Sequence, residues 1–188
     1  MRKIINFIAF QSAWFAAVLG AANGMLWLGV VAVPLALGLH LALSPDWRPE
    51  LLLAFCAAGM GFATDTLLIA SGSFSPIPYV FPVPFSSLWM VMLWVNLATT
   101  MNVSMAWLRG RYALGAVFGA IGGPLAYYSG AKLGAMTRLP EPGGLLWIAV
   151  SPGLLPCRCS MVRQGRLMND FMVWIHSNVL QVHPGPLP

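Results

Sequence analysis

Residues 88–135 decide the fold, and they read LWMVMLWVNLATTMNVSMAWLRGRYALGAVFGAIGGPLAYYSGAKLGA. Within this stretch, two apolar runs meet at a basic corner formed by Arg109, Gly110 and Arg111. Each run approaches the roughly 20 residues that a helix needs to cross the hydrocarbon core of a bilayer. The stretch therefore predicts two membrane-spanning helices joined by a short turn.

The whole chain is poor in charge. A soluble domain carries about 25% charged residues because its surface faces water. This chain of 188 residues is 8% charged and 59% hydrophobic. So few charged residues cannot form the surface of a soluble protein, so the outer surface is expected to face lipid. The lipid bilayer is therefore a predicted partner. The length leaves room for one membrane domain with short loops.

The net charge of +5 does not indicate a nucleic-acid partner. The basic residues flank apolar runs, where lipid head groups and membrane orientation account for them. Cys56 lies inside an apolar run, and Cys157 and Cys159 have neither a second pair nor clustered histidines beside them. We therefore predict no metal site and no cofactor.

Further apolar runs predict an all-α fold, a polytopic transmembrane bundle of five to six helices in residues 1–150. The predicted helices cover residues 4–22, 25–43, 51–70, 88–108 and 113–131, with a short sixth helix from residue 145. The first run could also be a cleaved signal peptide. Asn6, Gln11 and Ser12 dilute its apolar centre, which favours a retained first helix.

The distribution of Lys and Arg predicts the orientation. With the N-terminus in the cytoplasm, eight of the ten basic residues lie on the inner side, and only Lys132 and Arg138 lie on the outer side. This agrees with the positive-inside rule.

Two segments do not read as spanning helices. Residues 71–87 contain four prolines and no charge, which predicts an ordered loop at the membrane interface. Residues 151–188 form an atypical tail that mixes polar and apolar residues. Two explanations stay open for this tail, an interfacial amphipathic helix and an altered reading frame.

Four segments carry a resemblance to a known family: NFIAFQSAWFAAVLGAA (6–22), GFATDTLLIASG (61–72), LWMVMLWVNLATTMNVSMAWLRGR (88–111) and GAIGGPLAYYSGAKLGA (119–135). They resemble a bacterial inner-membrane family called domain of unknown function 2878, over roughly residues 1–150. The resemblance implies a compact, multi-pass protein of the bacterial inner membrane with no assigned activity. Genes for fatty-acid modification near some members imply a link to lipid processes.

Asp65 is the acid placed well inside an apolar run. A charged side chain in hydrocarbon costs several kcal/mol unless it is neutral, paired or hydrated. Asp65 therefore predicts either a functional group, such as a proton carrier or general base, or a hydrogen-bonded lock between helices.

Other polar side chains in the predicted fourth and fifth helices fall at about the same depth in the membrane as Asp65. Asn96 and Thr99 lie on one face of the fourth helix, and Tyr127 and Tyr128 follow a proline in the fifth. Lys132 comes one turn later, within possible pairing distance of Asp65. A candidate polar pocket therefore consists of Asp65, Asn96, Thr99, Tyr127, Tyr128 and Lys132. Interhelical hydrogen bonding and an interfacial tyrosine belt are the structural alternatives.

Glycines recur every four residues in the fifth helix, at Gly115, Gly119 and Gly123. This small-xxx-small pattern predicts close helix packing. Pro124 follows directly and predicts a kink or an interruption of the helix.

The sequence contains none of the common hydrolase, acyltransferase or ATPase motifs. We therefore favour a non-enzymatic membrane component linked to lipid or envelope processes, with membrane-protein partners or a homo-oligomer. The alternatives are a small transporter with its site at Asp65, Asn96 and Tyr127, and a membrane enzyme that acts on a lipid tail.

Overall fold

The computed structural model describes residues 1–77 and 82–136, and this part of the chain is all-α. Its five α-helices are α1 (Arg2–Ala22), α2 (Trp27–Ala42), α3 (Arg48–Ala70), α4 (Leu88–Met101) and α5 (Tyr112–Lys132), with a 3-10 helix at Ala106–Leu108. The described residues contain no β-strand. The predicted sixth helix and the tail of residues 151–188 lie outside the described residues.

Helix α4 is the central element of the bundle. It packs against α1, α2 and α3, while α1 also packs against α2. Small side chains such as Ala13, Ala57 and Ala98 fill much of the core between these helices. At the α1–α2 contact, a Cβ added to Gly29 would lie 2.9 Å from the Cα of Ala17. Small residues therefore set the close approach of these helices.

Helix α4 ends at Met101, before the predicted end at residue 108. The hydroxyl of Thr99 donates to the Asn96 carbonyl and that of Thr100 to the Leu97 carbonyl, each at 2.7 Å. Such side-chain bonds compete with the backbone for helical carbonyls. The amide of Met105 then donates to the Thr100 carbonyl at 2.9 Å, and the chain turns there before the 3-10 helix.

Helix α3 begins at Arg48, three residues before the predicted start at residue 51. Pro49 lies in the first turn, where its missing N–H would have no helical partner in any case. Glu50 also lies in the first turn, where its negative charge interacts favourably with the helix dipole.

Helix α5 runs without a break from Tyr112 to Lys132 and includes Pro124. The predicted interruption is therefore absent. Proline removes one backbone donor, whereas a break would leave several backbone groups without partners in an apolar setting. The turn before α5 uses Gly110 at φ 77°, a left-handed conformation that glycine adopts without steric cost.

The predicted interfacial loop folds back on the bundle in its described parts. Phe74 is fully buried, and the amide of Ile77 donates to the Ala135 carbonyl at 2.9 Å. Residues 78–81 lie outside the described residues.

Two helices, α1 and α3, are long and apolar enough to cross a membrane. Helices α2 and α4 are apolar but shorter. Buried core helices and N-terminal signal sequences share the length and composition of α1 and α3. The multi-pass bundle with a cytoplasmic N-terminus therefore stays a prediction.

The contact between α3 and α4 gives a first testable prediction. A Cβ added to Gly61 would overlap the indole ring of Trp94, whereas one added to Gly59 would meet nothing within 4 Å. We expect Gly61→Ala to lower the melting temperature clearly because a buried ring must move. Gly59→Ala, the matched control on the same helix, should leave it unchanged or raise it because alanine favours the helix. Equal melting temperatures for the two variants would contradict this packing.

Candidate functional site: a buried carboxylate beside an apolar cavity

The carboxylate of Asp65 is completely buried and accepts three side-chain hydrogen bonds. Nε1 of Trp94 donates to Oδ2 at 3.1 Å, and the hydroxyl of Ser86 approaches the same oxygen at 3.5 Å. The hydroxyl of Tyr127 donates to Oδ1. The three donors come from α4, from the segment before α4 and from α5. One side chain of α3 therefore connects three other parts of the fold.

The local sequence of α3 makes this arrangement possible. Gly61 lies one turn before Asp65, so no side chain occupies the space that the Trp94 ring needs. The ring enters this space, and its N–H reaches the carboxylate. One residue after Asp65, the hydroxyl of Thr66 accepts a bond from the Ser86 amide at 3.1 Å.

The loop after α3 supports Tyr127 from the other side. The ring of Phe74 packs edge-on against the ring of Tyr127, with centroids 5.5 Å apart. Pro76 forms an isolated antiparallel bridge with Met136, just beyond α5. The loop therefore ties the end of α5 to the end of α3 and holds Tyr127 over Asp65.

An apolar cavity of about 280 Å³ lies between α5 on one side and α1 and α4 on the other. We call it the α4–α5 cavity. Its wall includes Trp14 of α1, Leu97 of α4 and Phe118 of α5, and Trp94 and Tyr127 contribute to it as well. Two of the donors to Asp65 thus belong to the cavity wall. The cavity is partly open to the surroundings.

The glycine ridge explains why there is space at this position. Gly115, Gly119 and Gly123 all lie on the cavity wall, together with Gly122. A Cβ added to Gly122 would meet nothing within 4 Å. Without side chains on this face, α5 leaves a gap opposite the large residues of α4. The packing role of the ridge and of neighbouring Pro124 stays a prediction.

The residues of the predicted polar pocket occupy three different places. Asp65 and Tyr127 come together as described above. Asn96 faces α1, where its Nδ2 donates to the Phe10 carbonyl at 2.9 Å. The Thr99 carbonyl accepts a bond from Asn6 of α1 at 3.0 Å. These α4 residues therefore join α4 to α1 and do not contact Asp65.

Tyr128 and Lys132 lie on the exposed side of α5. The ammonium of Lys132 lies 5.6 Å from the centroid of the Tyr128 ring, a cation–π distance. Within residues 1–77 and 82–136, no basic side chain forms an ion pair with Asp65. Neutral hydrogen-bond donors, and not Lys132, surround the carboxylate.

A second polar cluster lies at the opposite end of the bundle. Nε2 of His40 lies 3.2 Å from Oε2 of Glu50, and Nδ2 of Asn102 donates to the same oxygen at 3.0 Å. Nη2 of Arg109 donates to Oδ1 of Asn102 at 3.0 Å. This network links the end of α2, the start of α3 and the end of α4.

Asn6 extends this network from His40 to α4 and the segment after it. The Thr99 carbonyl can only accept, so Nδ2 of Asn6 faces it, and Oδ1 accepts from the Ser104 hydroxyl at 2.6 Å. The same Nδ2 lies 3.5 Å from Nδ1 of His40, and Nε2 of His40 faces Glu50 on the other side of the ring.

Sequence reasoning missed several of these residues. Trp94 and Ser86 carry no distinguishing signal, because tryptophan and serine are common in apolar segments and loops. Glu50 lies just before the predicted third helix, and His40 lies near the end of the predicted second helix. The spacing of ten residues between His40 and Glu50, across a short turn between two helices, was the available signal. No group of three or more His, Cys, Asp or Glu that could hold a metal ion occurs in the described part of the chain.

These features define an all-α protein with two helices able to cross a membrane, a buried carboxylate and an apolar cavity. Residues 3–155 match the family described as "Protein of unknown function (DUF2878)", and the chain belongs to this family. The resemblance drawn from the sequence is thereby confirmed. Neither the curated proteins nor the solved structures include a match to the chain.

Asp65→Asn tests the carboxylate as a structural element. The substitution replaces one acceptor oxygen by an NH₂ group that faces donors, and leaving buried donors unpaired costs about 1–3 kcal/mol. We expect a clear fall in melting temperature. Asp46→Asn is the matched control, because Asp46 is exposed and its Oδ1 accepts the Arg48 amide at 3.2 Å, a bond that asparagine retains. A melting temperature for Asp65→Asn equal to that of the control would mean that the three bonds do not stabilise the fold.

Proposed function

We propose that the protein is a multi-pass component of the bacterial inner membrane that binds a hydrocarbon chain of a lipid in the α4–α5 cavity. It acts there without catalysing a reaction. The observation that carries this proposal is the apolar cavity beside α5, at a place where the surrounding helices expose large apolar side chains.

The outer surface supports the membrane setting. Large apolar side chains are exposed on all four helices that surround α4, among them Phe7 on α1, Leu35 on α2, Phe55 on α3 and Ile121 on α5. Soluble monomers rarely expose contiguous apolar patches larger than a few hundred Å². In a membrane, lipid chains would cover these apolar faces, so they would not be exposed to water.

The charge distribution supports a cytoplasmic N-terminus. Six Lys and Arg residues fall within the described residues. Five of them lie at the end of the bundle that contains the His40 network: Arg2, Lys3, Arg48, Arg109 and Arg111. Lys132 lies at the far end of α5. An excess of basic residues at one end is the pattern of a cytoplasmic face.

The chemistry of the cavity wall favours a hydrocarbon ligand. The side chains on it are mostly Leu, Met, Phe and Trp, and the polar atoms they offer are indole N–H groups and one phenol. Apolar cavities do not hold ordered water, because water there lacks partners, and they accept apolar ligands instead. The volume of about 280 Å³ is close to the lower end of ligand pockets, roughly 300 Å³.

Two alternatives have less support from the geometry. A transporter site at Asp65, Asn96 and Tyr127 requires these side chains to converge, and Asn96 instead donates to Phe10. An enzyme acting on a lipid tail requires an acid, base or nucleophile beside the ligand. Among the described residues on the cavity wall, the only titratable side chain is that of Tyr127, and its hydroxyl is bonded to Asp65.

Photolabelling tests the proposal. The full chain is reconstituted in lipid nanodiscs with a long-chain alkyl diazirine that has no polar group, and labelled peptides are identified by mass spectrometry. We expect labels on cavity residues such as the buried Met90 and the half-buried Met101. Gly122→Leu should reduce this labelling severalfold, because a leucine side chain fits the open space and fills the cavity.

Gly38→Leu is the matched control for Gly122→Leu. Gly38 is also an exposed helical glycine with nothing within 4 Å of an added Cβ, and it lies on α2, away from the cavity. It should leave the labelling unchanged. Labels confined to lipid-facing residues such as Leu35 would mean that another part of the chain or a second copy covers the cavity. That result would contradict the proposal.

A further inference from the structure

One end of the α4–α5 cavity lies at the basic turn of residues 108–111, which leads into α5. Leu108 belongs to the cavity wall and is 6% exposed, whereas the next residue, Arg109, is exposed. The amide of Arg111 donates to the Leu108 carbonyl at 2.9 Å, and this closes the turn. The turn therefore contributes one apolar side chain to the cavity and leaves two arginines exposed beside it.

Arg111 continues the glycine face of α5. Gly115, Gly119 and Gly123 lie on the cavity wall at four-residue spacing, and Arg111 lies four residues before Gly115. The amide of Gly115 donates to the Arg111 carbonyl at 2.9 Å, so the helical geometry extends back to Arg111. Residues four positions apart share one face of a helix. Arg111 is therefore on the same face as the cavity glycines, one turn or about 6 Å beyond Gly115.

Neither arginine of this turn forms an ion pair within residues 1–77 and 82–136. Nη2 of Arg109 donates to Oδ1 of Asn102 at 3.0 Å, which holds this guanidinium at the turn. The side chain of Arg111 is exposed and makes no bond to another described residue. Guanidinium groups bind phosphate oxygens through charge-assisted hydrogen bonds. Two of them beside an apolar cavity match a ligand that combines a phosphate with a hydrocarbon chain.

We propose that the ligand of the α4–α5 cavity is an anionic phospholipid, whose phosphate lies at Arg109 and Arg111 and whose acyl chain extends along the glycine face of α5. The proposal rests on the proposed function, because it names the class of lipid whose chain the cavity binds. With this end of the bundle on the cytoplasmic side, the lipid comes from the inner leaflet.

The charges around the turn favour an anionic head group over a zwitterionic one. Both kinds carry a phosphate, but a zwitterionic head group also brings an ammonium group close to two guanidinium groups. Among the described residues, the acids at this end of the bundle are Asp46 and Glu50. Glu50 faces His40 and Asn102, and Asp46 accepts the amide that follows it by two residues. Neither carboxylate is within ion-pair distance of the two arginines to attract the ammonium group.

The cavity is long enough for one acyl chain. Gly115 and Gly130 both belong to its wall and lie fifteen positions apart on α5, which is about 22 Å along a helix. The hydrocarbon core of a bilayer is about 30 Å thick, so the chains of one leaflet span about 15 Å. The volume of about 280 Å³ is close to the lower end of ligand pockets. The cavity therefore takes one chain, and the other chain of the lipid stays in the bilayer.

Photolabelling with two phospholipid probes tests the head group. Phosphatidylglycerol and phosphatidylcholine carry the same acyl chain with a diazirine at its end, and each is added in trace amounts to phosphatidylcholine nanodiscs that contain the full chain. We expect the phosphatidylglycerol probe to label Met90, at the end of the cavity away from the turn, several times more than the phosphatidylcholine probe does. Arg111→Gln should lower this preference about fivefold, the contribution of one basic residue near an anionic lipid.

Arg48→Gln is the matched control. Arg48 is exposed at the same end of the bundle, but it lies at the start of α3, and no described residue of α3 belongs to the cavity wall. This substitution removes the same charge and should leave the preference unchanged. Arg111→Lys keeps the positive charge and should keep most of the preference, which separates the loss of charge from any loss of folding.

The outcomes separate the two proposals. Equal labelling by the two probes in the natural chain, or equal losses in Arg111→Gln and Arg48→Gln, would overturn the head-group assignment and leave hydrocarbon binding in place. Labelling of the cavity by the alkyl diazirine but by neither phospholipid would do the same. No labelling of the cavity by any of the three probes would overturn the proposed function itself.

A competition with inorganic phosphate distinguishes the lipid from a free phosphate ion. Excess phosphate, compared with chloride at the same ionic strength, should leave labelling by the phosphatidylglycerol probe unchanged, because the acyl chain holds the lipid in the cavity. Phosphate that removes the preference for phosphatidylglycerol would show that the turn binds the free ion, and the lipid assignment would be wrong.

Discussion

The buried carboxylate of Asp65 is the interaction on which the arrangement of the other elements depends. A carboxylate without water needs several donors, and here they come from Trp94, Ser86 and Tyr127. The bond to Tyr127 helps to attach α5 to the bundle, because the cavity separates part of α5 from α1 and α4. The bond to Trp94 fixes the rotation of α4. Because Asp65 requires all these partners at once, it defines the relative positions of three helices.

Two polar clusters lie at opposite ends of the bundle. One end contains the Asp65 cluster, and the other contains the network of His40, Glu50, Asn102 and Arg109. Hydrogen bonds are directional and specify helix positions, whereas apolar contacts tolerate sliding. Neither cluster includes a residue of the glycine face of α5, which lies opposite the large side chains of α4 across the cavity.

Part of the candidate site could be predicted from the sequence. A charged side chain in an apolar run is energetically costly, and this singles out Asp65 in the sequence. Tyr127 is predicted to lie near Asp65 because both residues fall at a similar depth in the membrane. The sequence also places Asn96 and Thr99 in this pocket, because it gives the depth of a residue along its helix but not the neighbouring helix that the residue faces. The rotation of α4 places Trp94 toward Asp65 and Asn96 toward α1. The proposed pairing of Lys132 with Asp65 failed for a similar reason, since Lys132 lies over Tyr128 on the outer side of α5.

By itself, the sequence determined the helical class, the family and the approximate position of each described helix, because apolar run length and turn residues are local properties. It also identified the acid that had to be buried or paired. The tertiary structure decided which donors reach Asp65, where α4 ends, and that the glycine face of α5 borders a cavity. These depend on helix rotation and on the competition between side-chain and backbone partners. Both are settled only when distant segments meet.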